Sequence, residues 1–282
     1  MRSPRTLSLP ALALAVAPLC FVAAVIAPAH AAPAPRPQRI VSLNLCADQL
    51  LVELADAGQI AGLTRNAANP EISAVAARVG RIPILSGDAE EILALQPDLV
   101  IGKPVWRGAM KAMIARQGYR ALDVERAESY AEIVAEIRKI AVAVGHPGRG
   151  EALIAKMNRD LAGLARTGQG QVAAYYQRRG FLTGTGTLID DLMKRVGLIN
   201  LAGKLGRPAL STMTVEQLMV AQPDYMIVES ATDRVTDQGT EMLHHPLLRD
   251  IPRIYLPQAW TVCGGSAYVD AARSLARQIA RH

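Results

Sequence analysis

The sequence predicts an α/β protein of two Rossmann-like lobes joined by a single long connecting helix. Three observations carry this expectation. Short apolar runs alternate with stretches of helical period through both halves of the chain, the pattern of parallel sheets covered by helices on both faces. Between the halves, Leu153, Ile154, Met157, Leu161 and Leu164 recur at helical spacing across Gly148 to Ala165, with no proline after Pro147, so one amphipathic helix is expected there. Finally, Glu90-Glu91-Ile92-Leu93-Ala94-Leu95-Gln96-Pro97-Asp98-Leu99-Val100-Ile101 aligns without gaps on Glu216-Gln217-Leu218-Met219-Val220-Ala221-Gln222-Pro223-Asp224-Tyr225-Met226-Ile227. In each copy a short helix buries its Ile/Leu face, proline stops it, and an Asp turn launches a buried strand. Two copies in register, one on each side of the long helix, indicate related lobes.

The elements follow in order. Ile40 to Leu43 reads as a strand, and Ala47 to Ala57 as a helix stopped at Gly58. Ile60–Thr64 and Ile82–Leu85 read as strands and Ala89–Leu95 as a helix. Asp98–Gly102, Gly108–Gln117, Arg120–Val124 and Tyr130–Val144 continue the alternation of strand and helix. Beyond the connecting helix, Gln171–Tyr176 and Phe181–Thr183 read as strands, and Leu188–Val196, ending at Gly197, as a helix. Val215–Ala221 is expected to be helical, Tyr225–Val228 and Arg253–Leu256 strands, and a last helix runs from about Ala267.

The N-terminus points to export. Arg2 and Arg5 precede an almost wholly apolar Leu7 to Ile26, and Ala29-His30-Ala31 has the small-x-small form of a cleavage site. Residues 1–31 are therefore expected to be a signal peptide. Residues 32–38, with Pro33, Pro35 and Pro37, are expected to form an extended tether. Pro10 and Pro18 interrupt the apolar stretch and Pro28 follows it, which disfavours a membrane anchor, and Leu19 before Cys20 disfavours a lipoprotein site. The mature chain of about 250 residues is expected to be soluble and large enough for two lobes, at residues 39–146 and 169–282 around a connecting helix at 147–168. With 4% aromatic and 50% hydrophobic residues, the composition suits packed α/β layers and not a disulfide-dense small module. The net charge of +6 is dispersed along the chain. Without a basic stripe or a recognition motif, nucleic acid is excluded as a partner.

In the order and spacing of several segments the chain resembles the periplasmic binding proteins of ABC importers for iron chelates and vitamin B12. The segments are Arg39-Ile40-Val41-Ser42-Leu43, the two Gln-Pro-Asp units, the connecting helix, Thr183-Gly184-Thr185-Gly186-Thr187-Leu188-Ile189-Asp190-Asp191-Leu192, His245-Pro246-Leu247, and the Trp260 loop before the last helix. The resemblance implies a monomer that captures a ferric siderophore, haem or cobalamin in a cleft between the lobes and delivers it from the periplasm to a permease dimer. It implies no catalysis and no cofactor beyond the ligand, itself a metal chelate. It also implies that Glu90 and Glu216, at equivalent points of the repeat, dock on the permease, because a pseudo-symmetric protein meeting a symmetric dimer needs matching charges. An exported sensor or scaffold that binds no permease is the alternative. An exported hydrolase is the third reading, and it lacks a Gly-x-Ser-x-Gly elbow.

Residues just after predicted strands are the candidate ligand contacts: Asn44, Leu45, Cys46, Arg65, Lys103, Trp106 and Arg107 in the first half, and Tyr176, Trp260 and Cys263 in the second. Flat aromatic faces suit corrin, porphyrin or hydroxamate surfaces, and arginine suits propionates and other anionic groups. The pair Cys46 and Cys263 leaves three arrangements open. Free thiols lining the cleft come first, then a disulfide clamping the lobes, then soft ligands to a metal. Gly184 and Gly186 are expected to make a tight turn, Asp190 and Asp191 to be solvated, and His244 and His245 to lie on a surface turn. Few histidines disfavour a carrier of bare Zn or Mn ions.

Overall fold

The alternation of strand and helix produces two separate parallel sheets. The computed structural model of the protein describes residues 36–102 and 108–282. In the first half, β1 (Ile40–Ser42), α1 (Leu45–Leu54), β2 (Ile60–Thr64), β3 (Ile84–Leu85), α2 (Ala89–Leu95), β4 (Leu99–Ile101), α3 (Ala109–Arg116), β5 (Ala121–Leu122) and α4 (Tyr130–Ala143) follow one another. Their strands form one sheet in the order β3-β2-β1-β4-β5, parallel throughout. The connecting helix α5 (Pro147–Ala162) begins with proline at its first turn and ends at Gly163; proline is tolerated there because that N–H has no helical partner.

The second half contains β6 (Val172–Tyr175), β7 (Phe181–Thr183), α6 (Leu188–Val196), β8 (Ile199–Asn200), α7 (Leu201–Lys204), β9 (Leu210–Thr212), α8 (Val215–Ala221), β10 (Tyr225–Glu229), α9 (Gln238–Glu241), β11 (Arg253–Leu256) and α10 (Ala267–Ile279). The second sheet has the order β11-β10-β6-β8, again parallel. One expectation is corrected here. The strand Phe181–Thr183 does not join the parallel sheet but pairs antiparallel with β9 as a separate ribbon. Phe181 and Leu210 in this ribbon are exposed, so the apolar run that marks a buried strand is missing from β9.

The repeat seen in the sequence is a repeat in space. Helices α2 and α8 are both seven residues long and end on left-handed Gln96 (φ 47°) and Gln222 (φ 44°). Asp98 accepts hydrogen bonds from the backbone N–H groups of Gln38 (2.6 Å) and Arg39 (3.0 Å). Asp224 accepts one from Val172 N–H at 2.6 Å. Each Asp thus ties the start of its own strand to the start of the strand next to it, β1 in one sheet and β6 in the other.

Both sheets are covered on two faces. Ile40, Leu99 and Ile101 pack on one side of the first sheet, and Val41 and Val100 on the other with Ile92, Met110 and Ile114. In the second sheet Ala173, Tyr175 and Ile227 face inward, while Ala174, Tyr176 and Met226 face the outer layer. The inward faces share a single core with α1, α4, α5, α6 and α10, including Leu50, Ile137, Ile154, Met157, Leu192 and Leu275. Helices α4 and α5 approach closely because position 150 is glycine; a Cβ there would lie 2.6 Å from that of Ala141.

Candidate functional site

In open parallel sheets ligands bind beyond the carboxyl ends of the strands, where the strand order reverses. In the first sheet that point lies between β1 and β4, and in the second between β6 and β10. The residues leaving β1 are Leu43 to Cys46. Asn44 caps α1, its side-chain oxygen accepting from Ala47 N–H at 2.9 Å. Gly102 at the end of β4 has φ 113°, and a Cβ there would sit 3.1 Å from Asn44 N, so glycine allows the two strand ends to lie side by side.

Cys46 and Cys263 form a disulfide, with Cα atoms 5.3 Å apart. The free-thiol reading and the metal-ligand reading are both corrected by this bond. Cys46 opens α1 in the first lobe and Cys263 precedes α10 in the second, so the bridge crosses between lobes. Neighbouring contacts cross there too. Ser266 Oγ donates to the Glu53 carboxylate of α1, and Leu188 N–H at the start of α6 donates to Glu128 Oε2 at 3.2 Å. At Gly264 an added Cβ would fall 2.5 Å from Ala127 Cβ and 2.6 Å from Ile133. The segment before α10 is therefore seated on the first lobe.

A second junction lies at the helices. Arg195 of α6 stacks over the rings of Tyr130 (4.8 Å) and Tyr268 (5.3 Å). Its Nε donates to the Tyr268 hydroxyl at 2.7 Å, and that hydroxyl donates to Asp191. The Tyr130 hydroxyl donates to Asn158 Oδ1 on α5 at 2.6 Å. Burial and the Asp191 charge raise the Tyr268 phenol well above its ordinary pKa, against the pull of Arg195. The expectation of a solvated carboxylate is corrected for Asp190, which is 2% exposed and pairs with Lys194 at 2.7 Å; Asp191 is half-buried. In the turn before them Gly186 has φ 73°, and the backbone at Gly184 lies so close to the segment leading into β9 that a Cβ there would fall 2.3 Å from Pro208 O.

Beside these junctions opens a cavity of about 380 Å³ lined from both lobes. Arg126 and Glu128 come from the segment between β5 and α4; Tyr175, Gln177, Glu229, Gln258 and Thr261 come from the ends of β6, β10 and β11. Leu188, Ile189, Leu210 and Val262 add apolar surface. Arg126 is held to Glu128 at 2.8 Å. Gln177 Nε2 donates to Glu229 Oε1 at 3.3 Å. Burial pushes the Tyr175 phenol well up, and the adjacent Glu229 carboxylate adds to the shift.

Tyr176 does not reach this cavity. It is 0% exposed, lies in the outer core, and its hydroxyl donates to Met213 O at 2.7 Å. Tyr175, one residue earlier, faces inward instead. Trp260 is half-buried against the shared core together with Cys46, and it is absent from the walls of this cavity. Arg65 is exposed and donates to Ser86 O at 2.9 Å; Leu45 is half-buried in the first turn of α1. Lys103, Trp106 and Arg107 lie outside the described residues, as does the expected leader. Glu90 and Glu216 are both exposed at the second position of their helices. His244 is half-buried, its Nε2 2.8 Å from Thr232 O, while His245 is exposed and accepts from Leu247 N–H. The cavity residues that sequence reasoning missed include Arg126, Glu128, Tyr175, Gln177, Glu229 and Gln258; Gln177 and Gln258 follow strands as the chosen candidates do, whereas Tyr175 and Glu229 are the last residues within theirs.

Comparison with known proteins agrees with this architecture. The model of the periplasmic binding protein family matches residues 40–253. A cobalamin-binding protein of Halobacterium salinarum is 24% identical over 206 residues, 71% of this chain and 56% of that protein, so the chain spans about half the length of the curated relatives it matches. The periplasmic heme-binding protein RhuT from Roseiflexus sp. RS-1 superposes with a TM-score of 0.68 at 25% identity, over 86% of this chain and 97% of that one. The periplasmic vitamin B12 binding protein BtuF of Vibrio cholerae gives a TM-score of 0.63 at 16% identity, over 87% and 98%, a likeness of fold. With its two parallel sheets, their facing strand ends and a family match over most of its length, this chain belongs to the periplasmic binding protein family.

Proposed function

We propose that the chain is the exported solute-capturing component of an ABC importer. In this reading a cleaved leader at residues 1–31 and a tether at 32–38 precede lobes at 39–146 and 169–282. A metal chelate of the haem, cobalamin or ferric-siderophore kind lies between the lobes, and the loaded protein, a monomer, presents Glu90 and Glu216 to a permease dimer in the inner membrane. The observation that carries this reading is the cavity lined from both lobes at the carboxyl ends of the strands, the place and the mixed polar and apolar lining expected of a small-molecule site. Support comes also from relatives described as binding cobalamin and heme. The two glutamates gain weight from the spatial repeat, which puts both at the same point of a matched helix.

The test is a titration of the mature protein with haemin, cyanocobalamin and a ferric hydroxamate, followed by absorbance and tryptophan fluorescence. Saturable one-to-one binding of one of them supports the reading. Absence of binding by all three, with the protein shown to be folded, sinks it in favour of a scaffold role.

A further inference from the structure

Glu229 is the last residue of β10, and its placement is unusual for a carboxylate. It is 5% exposed, yet it lines the interlobe cavity and also an adjoining one of about 330 Å³ that shares Gln177 and Gln258 with it. Among the described residues its side chain receives one hydrogen bond, from the Gln177 amide at 3.3 Å, and no cation pairs with it. Buried charges are ordinarily paired or fully hydrogen-bonded, because losing water costs several kcal/mol. Of the cations nearby, Arg126 pairs with Glu128 at 2.8 Å, and Arg178 is exposed, with a guanidinium nitrogen 3.9 Å from Asp237. Arg179 lines the adjoining cavity but not the interlobe one, and it is exposed. The larger cavity thus carries two carboxylates against one guanidinium, and its remaining polar groups are amides and hydroxyls.

We propose that Glu229 selects the ligand by its rim chemistry: the cleft takes a chelate whose periphery presents N–H donors, as carboxamides or a protonated amine, and disfavours one with ionised carboxylate arms. Such a donor supplies the partner that the buried carboxylate lacks, and a charge-assisted hydrogen bond of this kind is about twice as strong as a neutral one. An ionised arm placed there instead meets a like charge in a site of reduced dielectric. This rests on the solute-binding reading above and narrows it to a class of ligand.

The experiment compares four probes by titration calorimetry on the wild type and on Glu229→Gln: dicyanocobinamide and ferrioxamine B, which carry donors, and dicyanocobyrinic acid and haemin, which carry carboxylates. The wild type is expected to bind at least one donor-bearing probe at least tenfold more tightly than either carboxylate probe. In Glu229→Gln that probe is expected to lose about tenfold in affinity while the carboxylate probes gain. The wild-type comparison stands by itself should the variant fold poorly. Equal or tighter binding of a carboxylate probe by the wild type overturns the selection by Glu229 and leaves the solute-binding reading intact. A folded Glu229→Gln that discriminates as the wild type does overturns it equally. Binding of none of the four overturns both.

Discussion

Cys46 and Cys263, 217 residues apart in the chain, are joined across the two lobes by a disulfide. Its position beside Ser266–Glu53 and the Gly264 contact means that the lobes meet at a second place besides α5. Chain-entropy arguments make a bridge closing so long a loop worth about 2–5 kcal/mol. Cys46→Ser/Cys263→Ser is expected to lose that amount in urea denaturation, and reductant is expected to destabilise the wild type while leaving the double variant unchanged. Equal stability of wild type and variant under oxidising conditions would contradict the assignment.

Gly264 offers a sharper probe of the same seam. Gly264→Ala puts a methyl group 2.5 Å from Ala127 Cβ, and overpacking of this kind costs about 1–3 kcal/mol. Gly265→Ala meets nothing within 4 Å and is expected to stay within about 0.5 kcal/mol of the wild type. Thermal midpoints of the two variants measured side by side check the difference. If the two alanines behave alike, the loop is not pressed on the first lobe.

Asp48 on α1 is 0% exposed and accepts hydrogen bonds from Thr64 N–H (3.0 Å) and Thr64 Oγ1 (2.5 Å). Burial pushes its carboxyl up to about 6, against the pull of bonds from Ser42 and Thr64. The folded state therefore binds this proton more tightly than the unfolded one does, and its contribution is full below about pH 4 and fades as pH rises through 6. Asp48→Asn keeps the geometry without the charge. The variant is expected to match the wild type near pH 4 and to exceed it by about 2–3 kcal/mol above pH 7. Denaturation curves at both pH values check this; a gap that does not change with pH counts against a protonated Asp48.

Glu90 and Glu216 occupy the second position of matched seven-residue helices. Glu90→Ala/Glu216→Ala is expected to abolish uptake of the ligand in whole cells while leaving its affinity for the purified protein unchanged. Each single variant is expected to retain partial uptake, since exposed interface charges act mainly on encounter and register. Loss of ligand affinity in the double variant would reassign these residues.

The sequence by itself determined what local physics controls. Helices α2, α6 and α8 start and stop where their periodicity, capping residues and following Gly or Pro require. The Gln-Pro-Asp units exposed the two-lobed plan because each is a complete short-range instruction: stop a helix, turn, start a strand. The tertiary structure decided what depends on parity and on distant partners. Val172-Ala173-Ala174-Tyr175 is buried on both faces, so no alternation of polar and apolar residues tells which tyrosine faces the cleft. Register against β10 makes it Tyr175 and sends Tyr176 into the outer core. The burial of Asp190 depends on Asn200 and on Gly186 across a turn, and that of Glu229 on three strand ends meeting. The fate of the two thiols was set by the packing of the segment before α10 on the first lobe, a contact between residues 217 apart in sequence, which no short window of residues encodes.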